Sequence, residues 1–320
     1  MGRMLMVAVL ALGLAGELFA QGYPVRAIRW IVGFPPGAAT DAATRVVATE
    51  MAARLGQPIV VENRAGAGGS LGVEQLARAI PDGYTIGTGT SGAVTVNPHL
   101  SEKAAFDPLR DLTAVAKIVA VPVVVVAAAS APFNSVAELI AAARAKPQSL
   151  SFASPGTYSL MHLAGELFKA QAGVQLTHVP YKGGAPAATD LVAGHIPLGF
   201  VDLSAVYGHI KAGKLKALGV TSARRTSIAP EIPTVAEAGL PGLDATAWAG
   251  LFVPAGTPAP IVARLNTEVE EILKRADVRE RLIAQGVEPA YEPGDRFGES
   301  AARDSRRWAA IIRRMTGTIK

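Results

Sequence analysis

The feature that most constrains the fold is a repeated alternation of short apolar runs with stretches of helical periodicity. The run Ile28–Val32 is followed by a segment in which an apolar residue recurs at every fourth position, from Ala43 to Leu55. Further strands are predicted at Ile59–Val61, Thr85–Thr88, Leu150–Ala153, Gln175–Val179, Leu198–Val201 and Leu215–Val220. This order predicts an α/β fold, with mostly parallel sheets flanked by helices on both faces.

Two segments break the alternation and predict two domains. Thr113–Ala129 is too long for one strand and contains Pro122, so it is either two strands joined without a helix or one segment that crosses between domains. Thr246–Pro254 is a second candidate crossing. Two crossings make the first domain discontinuous: we expect residues 21–120 and 248–320 in domain 1 and residues 121–247 in domain 2.

The first 20 residues have the pattern of a secretory signal peptide. Arg3 precedes the apolar run Met4–Gly16, and a small residue precedes Gln21. The run has about 13 residues, whereas a membrane-spanning helix needs about 20. We therefore expect cleavage before Gln21 and export of the mature chain. The alternatives are an uncleaved anchor and a buried helix.

Composition excludes several classes of function. The chain has no cysteine, which rules out disulfides and thiolate metal sites. The formal net charge is +5, and the basic residues are dispersed apart from pairs near the C-terminus. This distribution is typical of a solvated surface, so we expect no nucleic-acid partner.

Four loops that follow predicted strands are small and polar. Each leads into a predicted helix, where free main-chain N–H groups and the helix dipole attract an anion. The loops are Phe34–Asp41, Gly87–Gly92, Ser154–Ser159 and Tyr181–Gly184. Their composition suits a carboxylate better than an extended nucleotide. The alternative is that each loop only caps its helix, since the loops contain good caps at Thr40, Asp41, Ser91 and Ser159.

Other motifs favour neither a cofactor nor catalysis. The glycine run Gly66–Gly72 lacks the spacing of a dinucleotide fingerprint and indicates tight packing between helix and strand. The histidines lack metal-ligand spacing. The sequence does not favour a catalytic triad of Ser159, His162 and Asp202. The first two lie within one turn of a helix start, an arrangement that rarely directs a hydroxyl at its base. We expect no cofactor, no metal, no catalytic residue and no enzymatic activity.

Several ordered blocks of sequence resemble one family, the exported solute receptors of tripartite tricarboxylate transporters, known as Bug or TctC-like receptors. The resemblance covers nearly the whole chain after residue 20. The matching blocks are Pro35–Gly37 with Thr40–Asp41, Val61–Gly69, Pro81–Thr85, His178–Pro186, Ala212–Leu215, Pro233–Gly239 and Pro254–Pro258.

The resemblance implies a two-domain periplasmic-binding-protein fold of type II, or Venus flytrap, that holds an organic carboxylate in the cleft between domains. It implies a monomer that passes a di- or tricarboxylate or an aromatic acid to the membrane components of the transporter. The loops and the resemblance together give the predicted ligand-binding residues: Phe34, Pro36, Gly37, Ala38, Asp41, Thr88, Gly89, Thr90, Ser91, Ser154, Gly156, Thr157, Tyr158, Ser159, His162, Tyr181 and Asp202.

Two departures from the family pattern bear on the ligand. Ala38-Ala39 replaces the usual Gly-Ser of the first loop, and Tyr158 replaces a glycine of the third. Loss of a hydroxyl and gain of a ring favour a flatter, more apolar acid such as an aromatic carboxylate. The opposite interpretation is that Tyr158 fills the cleft and leaves room for only a small acid.

Two alternative functions stay open. One is an orphan sensory receptor that passes ligand occupancy to a signalling partner instead of a transporter. The other is a hydrolase or transferase that uses Ser159 and His162, and no motif favours it.

Overall fold

The computed structural model describes residues 22–100 and 106–316, so the predicted signal peptide lies outside the described residues. The strands are β1 (Ile28–Val32), β2 (Ile59–Asn63), β3 (Thr85–Thr90), β4 (Leu112–Val121), β5 (Val123–Ala128), β6 (Ser151–Ser154), β7 (Thr177–Pro180), β8 (Leu198–Asp202), β9 (Leu215–Val220), β10 (Ala247–Pro254) and β11 (Glu288–Pro293). The helices are α1 (Ala39–Leu55), α2 (Ser70–Ala77), α3 (Pro108–Asp111), α4 (Val136–Ala145), α5 (Leu160–Ala172), α6 (Gly184–Ala193), α7 (Leu203–Lys211), α8 (Ala259–Lys274), α9 (Ala276–Ala284) and α10 (Gly294–Thr316).

These strands form two sheets, and the predicted α/β architecture with two domains is confirmed. The first sheet has the order β11–β4–β10–β3–β1–β2, and the second has the order β7–β6–β8–β5–β9. Pairing is parallel within β1–β3 and within β6–β8. β10 runs antiparallel to β3 and β4, and β5 runs antiparallel to β8 and β9. Both sheets are therefore mixed, because strands next to the crossings enter without an intervening helix.

The first sheet buries both faces, as its sequence pattern requires. Ile28, Trp30 and Val32 share one buried cluster with residues of α1 and α8. Ile31, which points to the other face, packs in a cluster with Phe297 of α10. Alternate side chains along β1 thus pack into two hydrophobic cores, one on each face of the sheet.

The second sheet follows the same rule. Val123 and Val125 of β5 pack in a cluster with α4 and α5. Val124 and Val126 face the opposite way, toward α6 and α7. All four valines are fully buried.

Three segments connect the two sheets. β4 ends at Val121 and β5 begins at Val123, so Pro122 separates strands that belong to different sheets. The chain returns before β10, which starts at Ala247. α10 is the third connection: Phe297 lies in a first-sheet cluster, whereas Trp308 lies in the large cluster of the second sheet.

Candidate functional site

A cavity of about 910 Å³ lies between the two sheets. Its walls come from both: the loop after β1, the start of α2, the segment after β3 and the start of β10 on one side, and the loops after β6 and β8 on the other. The predicted residues that line it are Phe34, Thr90, Ser91, Gly156, Thr157, Tyr158, Ser159 and Asp202. The predicted residues outside the lining are Pro36, Gly37, Ala38, Asp41, Thr88, Gly89, Ser154, His162 and Tyr181.

Asp41 lies behind the first loop and holds its shape. Its buried carboxylate accepts hydrogen bonds from the main-chain N–H of Gly37 (2.9 Å), from Nδ2 of Asn63 (2.7 Å) and from Nε of Arg45 (2.9 Å). Burial raises the pKa of Asp41, but these hydrogen bonds outweigh burial and leave the pKa below its ordinary value. The loop is thereby fixed so that Ala39 and Thr40 reach the cavity.

Two residues of the second loop are also supports. The buried hydroxyl of Thr88 accepts a hydrogen bond from Nε1 of Trp30 at 2.8 Å and lies 2.9 Å from the hydroxyl of Thr44. A Cβ at Gly89 would lie 2.7 Å from the ring of Phe252, so this position packs against β10 and has no room for a side chain.

Hydrogen bonds within the third loop make it largely self-supporting. The hydroxyl of Ser159 caps α5 by accepting from the N–H of His162 (3.2 Å), and it donates to the carbonyl of Gly156 (2.8 Å). Tyr158 has a φ of 61°, and its N–H donates to Nδ1 of His162 at 2.9 Å. The hydroxyl of Ser154 also donates to Gly156 (3.0 Å).

His162 and His178 form a stacked pair beneath this loop. Their ring centroids are 3.6 Å apart and the rings are 14° from parallel. Burial lowers the pKa of His162 to about 4, and burial followed by the neighbouring His162 lowers the pKa of His178 to about 4. Both rings are therefore neutral at pH 7, and Nδ1 of His162 is free to accept the N–H of Tyr158.

These contacts argue against the Ser159–His162 pair as nucleophile and base. The Ser159 hydroxyl donates its proton to Gly156, and Nδ1 of His162 is taken by a main-chain N–H. An activated nucleophile needs its hydroxyl directed at the base. Both residues instead hold the loop.

The fourth loop does not reach the cavity. The hydroxyl of Tyr181 donates to Asp190 of α6 at 2.7 Å, and this hydrogen bond holds the side chain against its own helix. Ligand contact by Tyr181 stays a prediction.

Sequence reasoning missed several lining residues. The glycine run packs tightly as predicted, since a Cβ at Gly72 would lie 2.7 Å from Cα of Gly33. The same run places Ala67 and Gly68 in the cavity wall, together with Glu74 of α2. The sequence could have indicated these lining residues, because the glycine run leads into α2 just as the first loop leads into α1. Trp248 also lines the cavity, and nothing in the local sequence distinguishes it from a core residue.

Metal-binding clusters and membrane-spanning helices are both absent from the described part of the chain. Among residues 22–100 and 106–316, no group of three or more His, Asp or Glu side chains is placed to hold a metal ion. Within the same residues, no helix combines the length and the apolar character needed to cross a membrane.

Comparison with known proteins supports one family. The family model described as "Tripartite tricarboxylate transporter family receptor" matches residues 43–316. Protein BugT of Bordetella pertussis is 37% identical over 309 residues, which are 96% of this chain and 95% of that protein.

Two solved structures are similar over nearly the whole chain. Rpa4515 of R. palustris with adipate has a TM-score of 0.79 and 34% identity, covering 91% of this chain and 97% of that one. MatC of Rhodopseudomonas palustris with bound malate has a TM-score of 0.74 and 34% identity, covering 91% and 100%. The chain therefore belongs to the receptor family of the tripartite tricarboxylate transporters, a family of periplasmic solute-binding proteins with this two-domain fold.

Proposed function

We propose that the protein captures an organic carboxylate in the cavity between its two sheets and delivers it to the membrane components of a tripartite tricarboxylate transporter. One observation carries the proposal. The ends of β1, β3, β6 and β8 all lead to this single cavity of about 910 Å³, two strands from each sheet. Ligands of open α/β sheets bind beyond these carboxyl ends of parallel strands.

The cavity offers donors suited to a carboxylate. α1 begins with Ala38 at its cap position and no side chain accepts from its first turn, so its N–H groups are available to an anion. The hydroxyls of Thr40 and Thr157, from opposite walls, have no hydrogen-bond partner among the described residues. A carboxylate between these walls accepts from both domains.

This arrangement gives binding a direct consequence for shape. The ligand contacts both walls only when the domains are close, so it binds the closed form more tightly than the open form. This difference in affinity shifts the equilibrium toward the closed form. The closed form then presents the surface that the transporter recognises. The two relatives with adipate and malate support carboxylates as the ligand class.

The proposal includes the organisation predicted from the sequence: removal of residues 1–20 on export, a monomer, and domains of 21–120 with 248–320 and of 121–247. The break at Pro122 supports the first boundary and the start of β10 at Ala247 supports the second. N-terminal sequencing of the exported protein and its mass in solution test the first two points.

The binding proposal is tested by calorimetry and thermal shift on the purified protein. The panel contains short dicarboxylates, citrate, acidic amino acids and aromatic acids, each with its neutral amide. At 100 times the dissociation constant, a ligand stabilises the folded state by about 2.7 kcal/mol. We expect a shift with one class of acid and none with its amide.

Variants locate the binding site. Thr157→Val removes a cavity hydroxyl and should weaken the active acid, because one hydrogen bond to a charged group is lost. Thr189→Val is the matched control, since Thr189 lies exposed on α6 and donates to its own helix. Equal binding of acids and amides, or a folded ligand-free protein that binds no acid, contradicts the proposal. Loss of uptake of the identified acid in cells lacking the protein tests the transporter partnership.

A further inference from the structure

Asp202 lines the cavity but has no partner there. It ends β8 and occupies the cap position of α7, where an aspartate ordinarily accepts a hydrogen bond from the helix. Its carboxylate makes no such bond. Among the described residues, it has no ion pair and no hydrogen bond to another residue, and only its own main-chain N–H favours its charge.

An unpartnered, half-buried carboxylate in the wall of a cavity is chemically informative. Burial raises the pKa of Asp202 to about 6, so the group is still mostly ionised at pH 7.5. Buried polar groups are ordinarily paired with protein, water or ligand, because an unmade hydrogen bond to a charged group is costly. Because Asp202 lines the cavity and bonds to no other described residue, its acceptor capacity is left for solvent or for the molecule that fills the cavity.

The rest of the described wall adds negative charge and apolar surface. Glu74, on the opposite side, is the other charged residue in the described lining, and its carboxylate pairs with the largely exposed Arg78. Aromatic side chains of Phe34, Tyr158 and Trp248 contribute the apolar part of the wall. A second ligand carboxylate placed beside Asp202 would meet a like charge, whereas an ammonium group would meet an opposite one.

We propose that Asp202 is a specificity-determining residue that accepts hydrogen bonds from a protonated amine, so that the preferred ligands are amino acids rather than the corresponding acids without an amine. This inference rests on the proposed function, because the ligand carboxylate is held at the start of α1 and between the hydroxyls of Thr40 and Thr157. The ammonium of the same ligand lies at Asp202, in the second-domain wall of the cavity. The apolar wall favours a side chain of apolar or aromatic character.

Calorimetry at pH 7.5 with matched pairs tests the inference. The pairs are L-phenylalanine with 3-phenylpropionate, L-leucine with 4-methylpentanoate, and L-glutamate with glutarate. Each pair differs only by the amine. We expect at least one amino acid to bind about tenfold or more tightly than its partner, a ratio that corresponds to about 1.4 kcal/mol.

Two variants distinguish the effect of the charge on Asp202 from the effect of removing a negative charge elsewhere in the protein. Asp202→Asn keeps the shape and removes the charge, and it should weaken that amino acid about tenfold or more while leaving its amine-free partner unchanged or tighter. Asp295→Asn is the matched control, and it should change both members of the pair by less than about twofold, because Asp295 is exposed on α10 and lies outside the cavity lining.

The outcomes distinguish the inference from the function beneath it. If the amine-free acids bind as tightly as the amino acids, or Asp202→Asn affects both members equally, the inference is wrong and carboxylate capture stands. It is also wrong if an amine-free acid binds better at pH 5 than at pH 7.5 and Asp202→Asn abolishes that difference, since Asp202 then acts as a protonated donor. If the folded protein binds neither class, carboxylate capture itself fails.

Discussion

The stacked pair of His162 and His178 makes the folded protein sensitive to mild acid. Protonation of His162 places a hydrogen on Nδ1, which faces the N–H of Tyr158 and then can no longer accept it. Protonation of either ring also puts a charge 3.6 Å from the other. The charged groups nearby are Glu166, 3.7 Å from His162, and Lys169, which pairs with Glu166 at 2.8 Å.

The size of the effect follows from the depressed pKa values. The pKa of each histidine is about 4 in the folded protein, against an ordinary value of 6.5. The unfolded chain therefore takes up protons first as the pH falls, and stability declines from about pH 6.5 and levels off below about pH 4. Each group contributes about 1.4 kcal/mol per pH unit inside that window, which amounts to about 2 kcal/mol between pH 6.5 and pH 5.

Comparison of variants isolates this contribution from other titrating groups. Asp202 has a raised pKa of about 6 and acts in the opposite direction, gaining stability as the pH falls. We therefore compare the protein with His178→Gln, which leaves Asp202 in place. It also retains a polar group beside the hydroxyl of Ser154, which lies 2.7 Å from Nε2 of His178. The free energy of unfolding in urea is measured for both at pH 7.5 and pH 5.

We expect the wild-type protein to lose about 2 kcal/mol relative to His178→Gln over this range. The ligand affinity of the wild type should fall below about pH 5, because the third loop then loses its support. A constant difference between wild type and His178→Gln across the range would refute the reasoning.

Three further predictions concern named positions. Tyr158 has a positive φ of 61°, so Tyr158→Ala should be less stable than Tyr158→Gly by about 1 kcal/mol in urea unfolding. Because the ring of Tyr158 lines the cavity, Tyr158→Gly should weaken binding of an aromatic acid more than binding of a short dicarboxylate in calorimetry. A Cβ at Gly250 would overlap the ring of Phe297 and lie 2.8 Å from the carbonyl of Ala116, so Gly250→Ala should cost about 1–3 kcal/mol of unfolding free energy. Trp308 is 1% exposed, and Trp308→Ala should cost about 3–5 kcal/mol; a loss below 1 kcal/mol would show that α10 does not stabilise the second domain.

Most strands of the parallel part of each sheet were predictable because each alternates side chains between two buried faces. β1 is an example: its apolar run is followed by the helical period that ends at Leu55, and the structure places both elements there. Strand direction at the crossings was not predictable, since Pro122 marks a break without showing which sheet each side joins. β11 was missed because Pro289 and Pro293 argue against a strand, yet an edge strand paired on one side only tolerates both.

The candidate site was predictable as a set of loops but not as a set of side chains. The residue types that bind an anion, such as Asp41 and Thr88, are also those that cap helices and brace loops. Sequence does not reveal which of their hydrogen bonds are made inside the protein. The structure does: Asp41 is occupied by three neighbours, whereas Thr40, one residue earlier, has a free hydroxyl at the cavity.

This division explains how one scaffold can hold different acids. Residues behind the cavity, such as Asp41 and His162, make internal hydrogen bonds that fix the loops whose main-chain donors we propose for the ligand carboxylate. Because those donors belong to the backbone, they carry little information about the rest of the ligand. On this proposal, selectivity comes from side chains of the cavity wall that the fold leaves without a hydrogen-bond partner, and Tyr158 and Asp202 are the two whose chemistry differs most from that of the surrounding small residues. A change at either position should alter which acid binds while leaving the loops that hold its carboxylate intact.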